Sequence, residues 1–219
     1  MKRFKKPFVY ILGLSLLGLS VTLFQKTNLG MSSWDALNRN FYEGIPLEYR
    51  YLTPIMAMIL VSLAYIIEKK RPNLMMFFPL VISFYIGLVI DLLLLVIPSV
   101  STFGILYNLL YVFLAMVLVS IGLNLILLCN YPLPALDQFC LAIARKFHIS
   151  FGKGKFIGEI IALVATIISG LAFSHQEYYF YIGITTVLMI IFIGYFVDFF
   201  AKPVKKIIGE FNDYRNIRG

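Results

Sequence analysis

The sequence is short of charge. Of its 219 residues, 14% are charged and 60% hydrophobic, with a mean hydropathy of +0.87, whereas a soluble domain carries about 25% charged residues. That shortage excludes a water-solvated globule. Cysteine is scarce as well. Cys129 and Cys140 lie in a stretch that the charge pattern below assigns to a reducing compartment, and they lack His partners at ligand spacing, so they suit neither a structural disulfide nor a zinc site. They read as small apolar residues. His148 and His175 have no second ligand at metal spacing and read as loop residues. No nucleophile has a partnered base and no glycine loop is built for phosphate, so the sequence offers neither an enzyme nor a cofactor site. The net charge is +8, but a nucleic-acid surface needs basic residues gathered on a soluble face, and here Lys and Arg are confined to gaps between apolar runs.

What the chain does have is six apolar runs, near 7–24, 51–67, 74–97, 103–128, 156–173 and 178–200. Each is long enough to cross about 30 Å of hydrocarbon at about 1.5 Å per residue. The first follows Met1-Lys2-Arg3-Phe4-Lys5-Lys6 and ends at Gln25-Lys26-Thr27 with no small-residue cleavage site, which reads as a span and not as a signal peptide. Lys and Arg favour the cytoplasmic side of short loops. The N-terminus (Lys2, Arg3, Lys5, Lys6), the second connection (Lys69, Lys70, Arg71), the fourth (Arg145, Lys146, Lys153, Lys155) and the tail (Lys202, Lys205, Lys206, Arg215, Arg218) hold sixteen of the nineteen. Lys26, Arg39 and Arg50 are left for the outer side. Both termini are therefore expected in the cytoplasm, with the lipid bilayer as the surrounding partner.

The connections 25–50 and 129–155 are long and the others short. Aligning the halves at the long ones brings Ser33-Trp34-Asp35-Ala36-Leu37 onto Ala135-Leu136-Asp137-Gln138-Phe139, and Ile86-Gly87-Leu88-Val89-Ile90-Asp91 onto Ile193-Gly194-Tyr195-Phe196-Val197-Asp198. With three spans in each half, the second half enters the bilayer from the opposite side. The expected fold is thus an all-α membrane protein of six transmembrane helices. It forms a single membrane domain over 1–219, a 3+3 inverted repeat with halves 7–98 and 103–203, followed by a basic cytoplasmic tail over 204–219. Inverted repeats are the architecture of many secondary transporters, in which two oppositely oriented units open a central site to each side in turn; duplication without transport is the alternative.

Each half adds a short amphipathic or re-entrant helix after its first span. Trp34, Leu37 and Phe41 fall at helical spacing, with Asp35, Asn38, Arg39 and Tyr42 opposite. Ser32 suits the N-cap, with Asp35 three residues on. The counterpart over 134–147 opens with Pro134 and carries Leu136, Phe139, Ile143 and Phe147. Such helices either lie in the interface with the apolar stripe in lipid or dip back into the bilayer. In the second case their N-termini face each other and suit an anionic group.

The candidate binding residues are Ser32, Ser33, Trp34, Asp35, Asp137 and Asn124. Asp91 and Asp198, carboxylates inside apolar spans, are candidates for ion coupling, or else tie helix ends to neighbouring backbone. Asn124, Ser20 and Thr22 also suit interhelical hydrogen bonds. Glu159 with Lys155 reads as an interface pair, beside a Gly154-x-x-x-Gly158 step that favours close helix contact.

Leu29-Gly30-Met31-Ser32-Ser33-Trp34-Asp35 and the glycine-to-Ile-Asp ending of the third span resemble the YczE/YyaS/YitT-like group of bacterial integral membrane proteins over most of the chain. Ser33 stands where that group commonly has proline, and Gly87-Leu88 where Gly-Pro is frequent. The resemblance implies a bacterial cytoplasmic membrane and a transporter or permease. The resulting expectation is a secondary transporter of a small polar or anionic solute with a coupling ion. The alternative is a non-transporting partner or assembly factor that docks another protein through Trp34 or Phe139.

Overall fold

The computed structural model describes residues 2–45, 49–173 and 181–209, with side chains from Lys6 onward except 42–43, 49–53 and 75. His175, Arg215 and Arg218, and the side chains of Lys2, Arg3, Lys5 and Arg50, lie outside the described part. The helices are α1 Lys2–Gln25, α2 Ser33–Gly44, α3 Tyr49–Ile67, α4 Phe78–Val96, α5 Ile105–Cys129, α6 Ala135–Lys146, α7 Phe151–Ala172 and α8 Ile184–Ile208, with a 3-10 turn at Leu74–Phe77. Among the described residues there is no strand.

Five helices are long and apolar enough to cross a membrane: Lys6–Gln25, Phe78–Val96, Ile105–Cys129, Phe151–Ala172 and Ile184–Ile208. This is the character of a helical membrane protein. The sixth expected span, 51–67, falls in α3, whose described apolar stretch Pro54–Ile67 is shorter. Three boundaries also differ from expectation. The 74–97 run opens with the 3-10 turn. Ser150 caps α7 by accepting from Lys153 N, so that helix starts at 151 and takes in Lys155. The last helix continues through Pro203 to Ile208, into the expected tail.

The centre is the crossing of α1 and α5, where Leu14, Leu17, Leu123 and Ile126 are buried. It depends on two glycines. A Cβ at Gly122 would lie 2.8 Å from the Gly13 carbonyl oxygen, and one at Gly13 would lie 2.9 Å from that of Gly122, so any side chain here would force the backbones apart. Around this pair, α4 packs on α1 and α8 on α5, while α2 packs on α7 and α6 on α3. Each helix of the first half thus has the partner that its counterpart has in the second. Ser20 and Thr22 do not reach across helices. Their hydroxyls donate to Leu17 O and Gly18 O of α1 itself, the local bonding open to such side chains.

Two ends can be told apart. At one, Tyr10 donates to Pro132 O (2.6 Å), and Glu68 joins the end of α3 to Arg145 at the end of α6 (2.8 Å) and to Lys70 (2.6 Å). At the other, Lys26 Nζ donates to Leu94 O, and Leu29 O accepts from Thr185 N at the start of α8. The first end gathers Lys69, Lys70, Arg145 and Lys146 round one cavity and is called the basic end below.

Two predictions follow from this packing. Gly122→Leu should cost about 1–3 kcal/mol in thermal or denaturant unfolding, while Gly87→Leu, with nothing within 4 Å of its Cβ position, should be near neutral. The second concerns acid. Burial pushes the Glu68 carboxyl up, but the bonds and charges of Lys70 and Arg145 outweigh it and hold the group below the usual glutamate range. The unfolded chain therefore takes up this proton first as pH falls, so the contribution is complete above the ordinary glutamate value and lost on passing down through the folded one. Glu68→Gln should lower stability by about 0.5–1 kcal/mol at neutral pH, with the difference vanishing in acid, as read by thermal unfolding across pH.

Candidate functional site

The two short helices do not lie with their apolar stripes in lipid. Trp34, Ala36 and Leu37 of α2 and Phe139, Ala142 and Ile143 of α6 are buried in the protein. Helix α2 follows the second half of α7. Thr166 Oγ1 donates to Ser33 O (2.9 Å), Asn40 Nδ2 donates to Thr166 O (2.8 Å), and Phe41 meets Phe173 edge-on. Helix α6 follows the second half of α3, with Ala135 packed near Ala57 and Val61 and Arg145 at Glu68. Each short helix therefore starts near the middle of a long one and runs toward a different end of the bundle. The starts meet, with Trp34 edge-on to Phe139 at 6.1 Å between ring centroids.

The approach to α2 is a turn that only glycine serves well. Gly30 has φ +88°, and a Cβ there would lie 2.6 Å from Gly183 N; Met31 N donates to Tyr181 O at 3.0 Å. The chain then enters α2 through Ser32, whose hydroxyl accepts from Asp35 N (3.3 Å) and donates to Asp35 Oδ2 (2.7 Å). The partner surface on α7 is the Gly154-x-x-x-Gly158 step. A Cβ at Gly154 would meet Cys140 O at 2.6 Å, and Gly158 makes room for Cys140 Sγ and the Trp34 ring. Both cysteines are free and buried.

At this junction lies a cluster whose α7 members were expected elsewhere. Lys155 and Glu159 are not an interface pair. They are 4% and 1% exposed, because α7 begins a turn earlier than its apolar run and carries them inward. Lys155 Nζ donates to Asp137 Oδ1 at 2.6 Å and stands 3.9 Å from Glu159 Oε1. Asp35 lies within electrostatic reach of Lys155 and Glu159. Ser33 stands close enough to the Glu159 carboxyl to act on it, and Ser33 Oγ and Glu159 Oε2 are each buried with no hydrogen-bond partner of good geometry. Asp35 and Asp137 occupy the first turns of α2 and α6, so the positive ends of both helices already face carboxylates of the chain itself.

Of the candidate residues, Ser32, Ser33, Trp34, Asp35 and Asp137 come together here. Asn124 lies elsewhere, its amide donating to Ser120 O (2.9 Å) and to Val197 O (2.8 Å), which ties α5 to α8. Asp198 accepts from Ser150 Oγ (2.6 Å) and Gly152 N (3.0 Å) at the start of α7, and Asp91 is on the exposed side of α4. Lys155 and Glu159 were legible only through their four-residue spacing, which puts them on one face beside the two glycines. A half-open cavity of about 930 Å³ at the basic end is lined by Glu68, Lys70, Tyr131, Gln138 and Arg145 among others; Gln138 adjoins Asp137 on α6. Among the described residues no three or more His, Cys, Asp and Glu side chains are grouped so as to hold a metal ion.

No curated protein and no solved structure matches the chain. One family profile does, over residues 4–202, and the chain therefore belongs to DUF6198, a family of unknown function.

Proposed function

We propose that the protein is a secondary transporter or permease for a small polar solute, with its site between the starts of α2 and α6. The observation that carries this reading is the meeting of two helix starts, near the middle of long apolar helices, around buried Lys155, Asp137 and Glu159. Charges buried at such depth are costly and occur chiefly on substrate and ion pathways, and broken helices that meet at mid-depth are a recurring transporter site. The matched partners, α2 on α7 and α6 on α3, support a 3+3 inverted repeat with α3 as the sixth span. The basic end then faces the cytoplasm, and its cavity is the inward vestibule. The likeness of residues 29–35 to the YczE/YyaS/YitT-like group supports a bacterial cytoplasmic membrane. An anionic solute is the poorer fit, because Asp35 and Asp137 already occupy the helix starts. The docking alternative relies on Trp34 and Phe139, which are buried against each other.

Alternating access makes a test independent of the solute. In a chain with Cys129 and Cys140 replaced by Ala, Ser32→Cys should react with a membrane-impermeant maleimide in both right-side-out and inside-out vesicles. Reaction from one side only, or from neither, overturns the reading.

A further inference from the structure

The charges at the junction do not balance. Helix α7 brings one ammonium, Lys155, and one carboxyl, Glu159; α6 brings Asp137 and α2 brings Asp35. The starts of α2 and α6 add about +0.5 each. Against three carboxylates, that leaves roughly one negative charge unmatched at a place where Asp137, Lys155 and Glu159 are each at most 5% exposed. Helix α8, also packed on α7, offers no relief, since the charge it brings to the start of α7 is a further carboxylate, Asp198, which accepts from Ser150 and Gly152. Cys140 of α6 adds only a neutral thiol in the Gly158 notch.

A second observation places the missing charge. Asp137 has its lysine and Asp35 its serine, but Glu159 Oε2 and Ser33 Oγ, 1% and 0% exposed by residue, each lack a hydrogen-bond partner of good geometry, and Ser33 stands close enough to the Glu159 carboxyl to act on it. A buried carboxylate oxygen left without a partner costs free energy that a bound cation recovers. We propose that this cluster takes up one monovalent cation, a proton or an alkali ion, at Glu159 Oε2 and Ser33 Oγ. The site deepens the transporter reading by supplying its coupling ion, but binding there does not depend on transport.

The chain contains a single tryptophan, Trp34. Its ring lies 3.9 Å from the Cβ position of Gly158, next to Glu159, so its fluorescence reports on the cluster. The purified full-length protein is titrated in two arms, with pH in a buffer free of alkali ions and with Na⁺, K⁺ or Li⁺ at fixed pH. A transition in the first arm alone identifies a proton, and a saturable one in the second identifies an alkali ion. Glu159→Gln should abolish it, and Ser33→Ala should weaken binding about tenfold. No transition in either arm, or an unchanged one in Glu159→Gln, overturns the proposal. If that variant does not elute as a folded monodisperse protein, Ser33→Ala decides, and an unshifted midpoint overturns it. Vesicle labelling at Ser32→Cys and this titration fail independently, so loss of the transport reading and loss of the cation site are distinguishable.

Discussion

Taking an ammonium out of water and into a bundle of apolar helices costs several kcal/mol unless a counter-charge stands at hydrogen-bond distance. Lys155 meets that condition through one bond, to Asp137 at 2.6 Å, and much of the interior is arranged so that the bond can form. For Asp137 to reach it, α6 must start beside the first half of α7. For α6 to come that close, α7 must present Gly154 and Gly158, where Cys140 fits. The Trp34 ring shares that notch and fixes the start of α2 at the same height. A salt bridge buried this way is weak evidence for stability, since an apolar pair of similar volume often serves as well. Stability alone therefore does not account for the pair, nor for the unpartnered oxygens of Glu159 and Ser33 beside it.

Rigid and poorly packed parts are unevenly distributed. The α1–α5 crossing at Gly13 and Gly122 and the α7–α8 contact at Gly152 and Gly194 bring backbones together, and Asn124 adds a hydrogen bond from α5 to α8. Helix α4 is different. Most of it faces outward, and Gly87, the counterpart of Gly194 in the sequence, has open space where a side chain would stand. The same Ile-Gly-x-x-x-Asp string thus does different work in the two halves. Asp198 caps the start of α7, whereas Asp91 is exposed. Chemically equal residues part company because one glycine has a helix against it and the other does not.

Much of this was legible from residues. The Ser32 cap and the 3.6-residue stripe mark the start of α2 at Ser33, and Pro134 marks that of α6. The alignment pairs Asp35 with Asp137, and the fold brings both beside Lys155 and Glu159. Lys155 and Glu159 were legible as a pair one turn apart but not as buried, because lysines between apolar runs are read as loop charges, and only the Ser150 cap makes 151–155 helical. Whether the short helices lie on lipid or inside protein was also beyond the sequence, since an apolar stripe looks the same against either. The fate of Asn124 depended on a carbonyl of α8, which no local pattern reveals.

The most direct test of the buried pair is a double-mutant cycle in the purified full chain, with Lys155→Met, Asp137→Leu and both together, read by thermal and denaturant unfolding. Lys155→Met leaves Asp137 without its cation and Asp137→Leu leaves the Lys155 ammonium without its hydrogen-bonded carboxylate, and each should cost about 3–5 kcal/mol. The double variant, with neither partner present, should lose clearly less than the sum of the two single changes. Additive losses, or an Asp137→Leu variant as stable as the parent, would contradict the claim that this bond organises the interior.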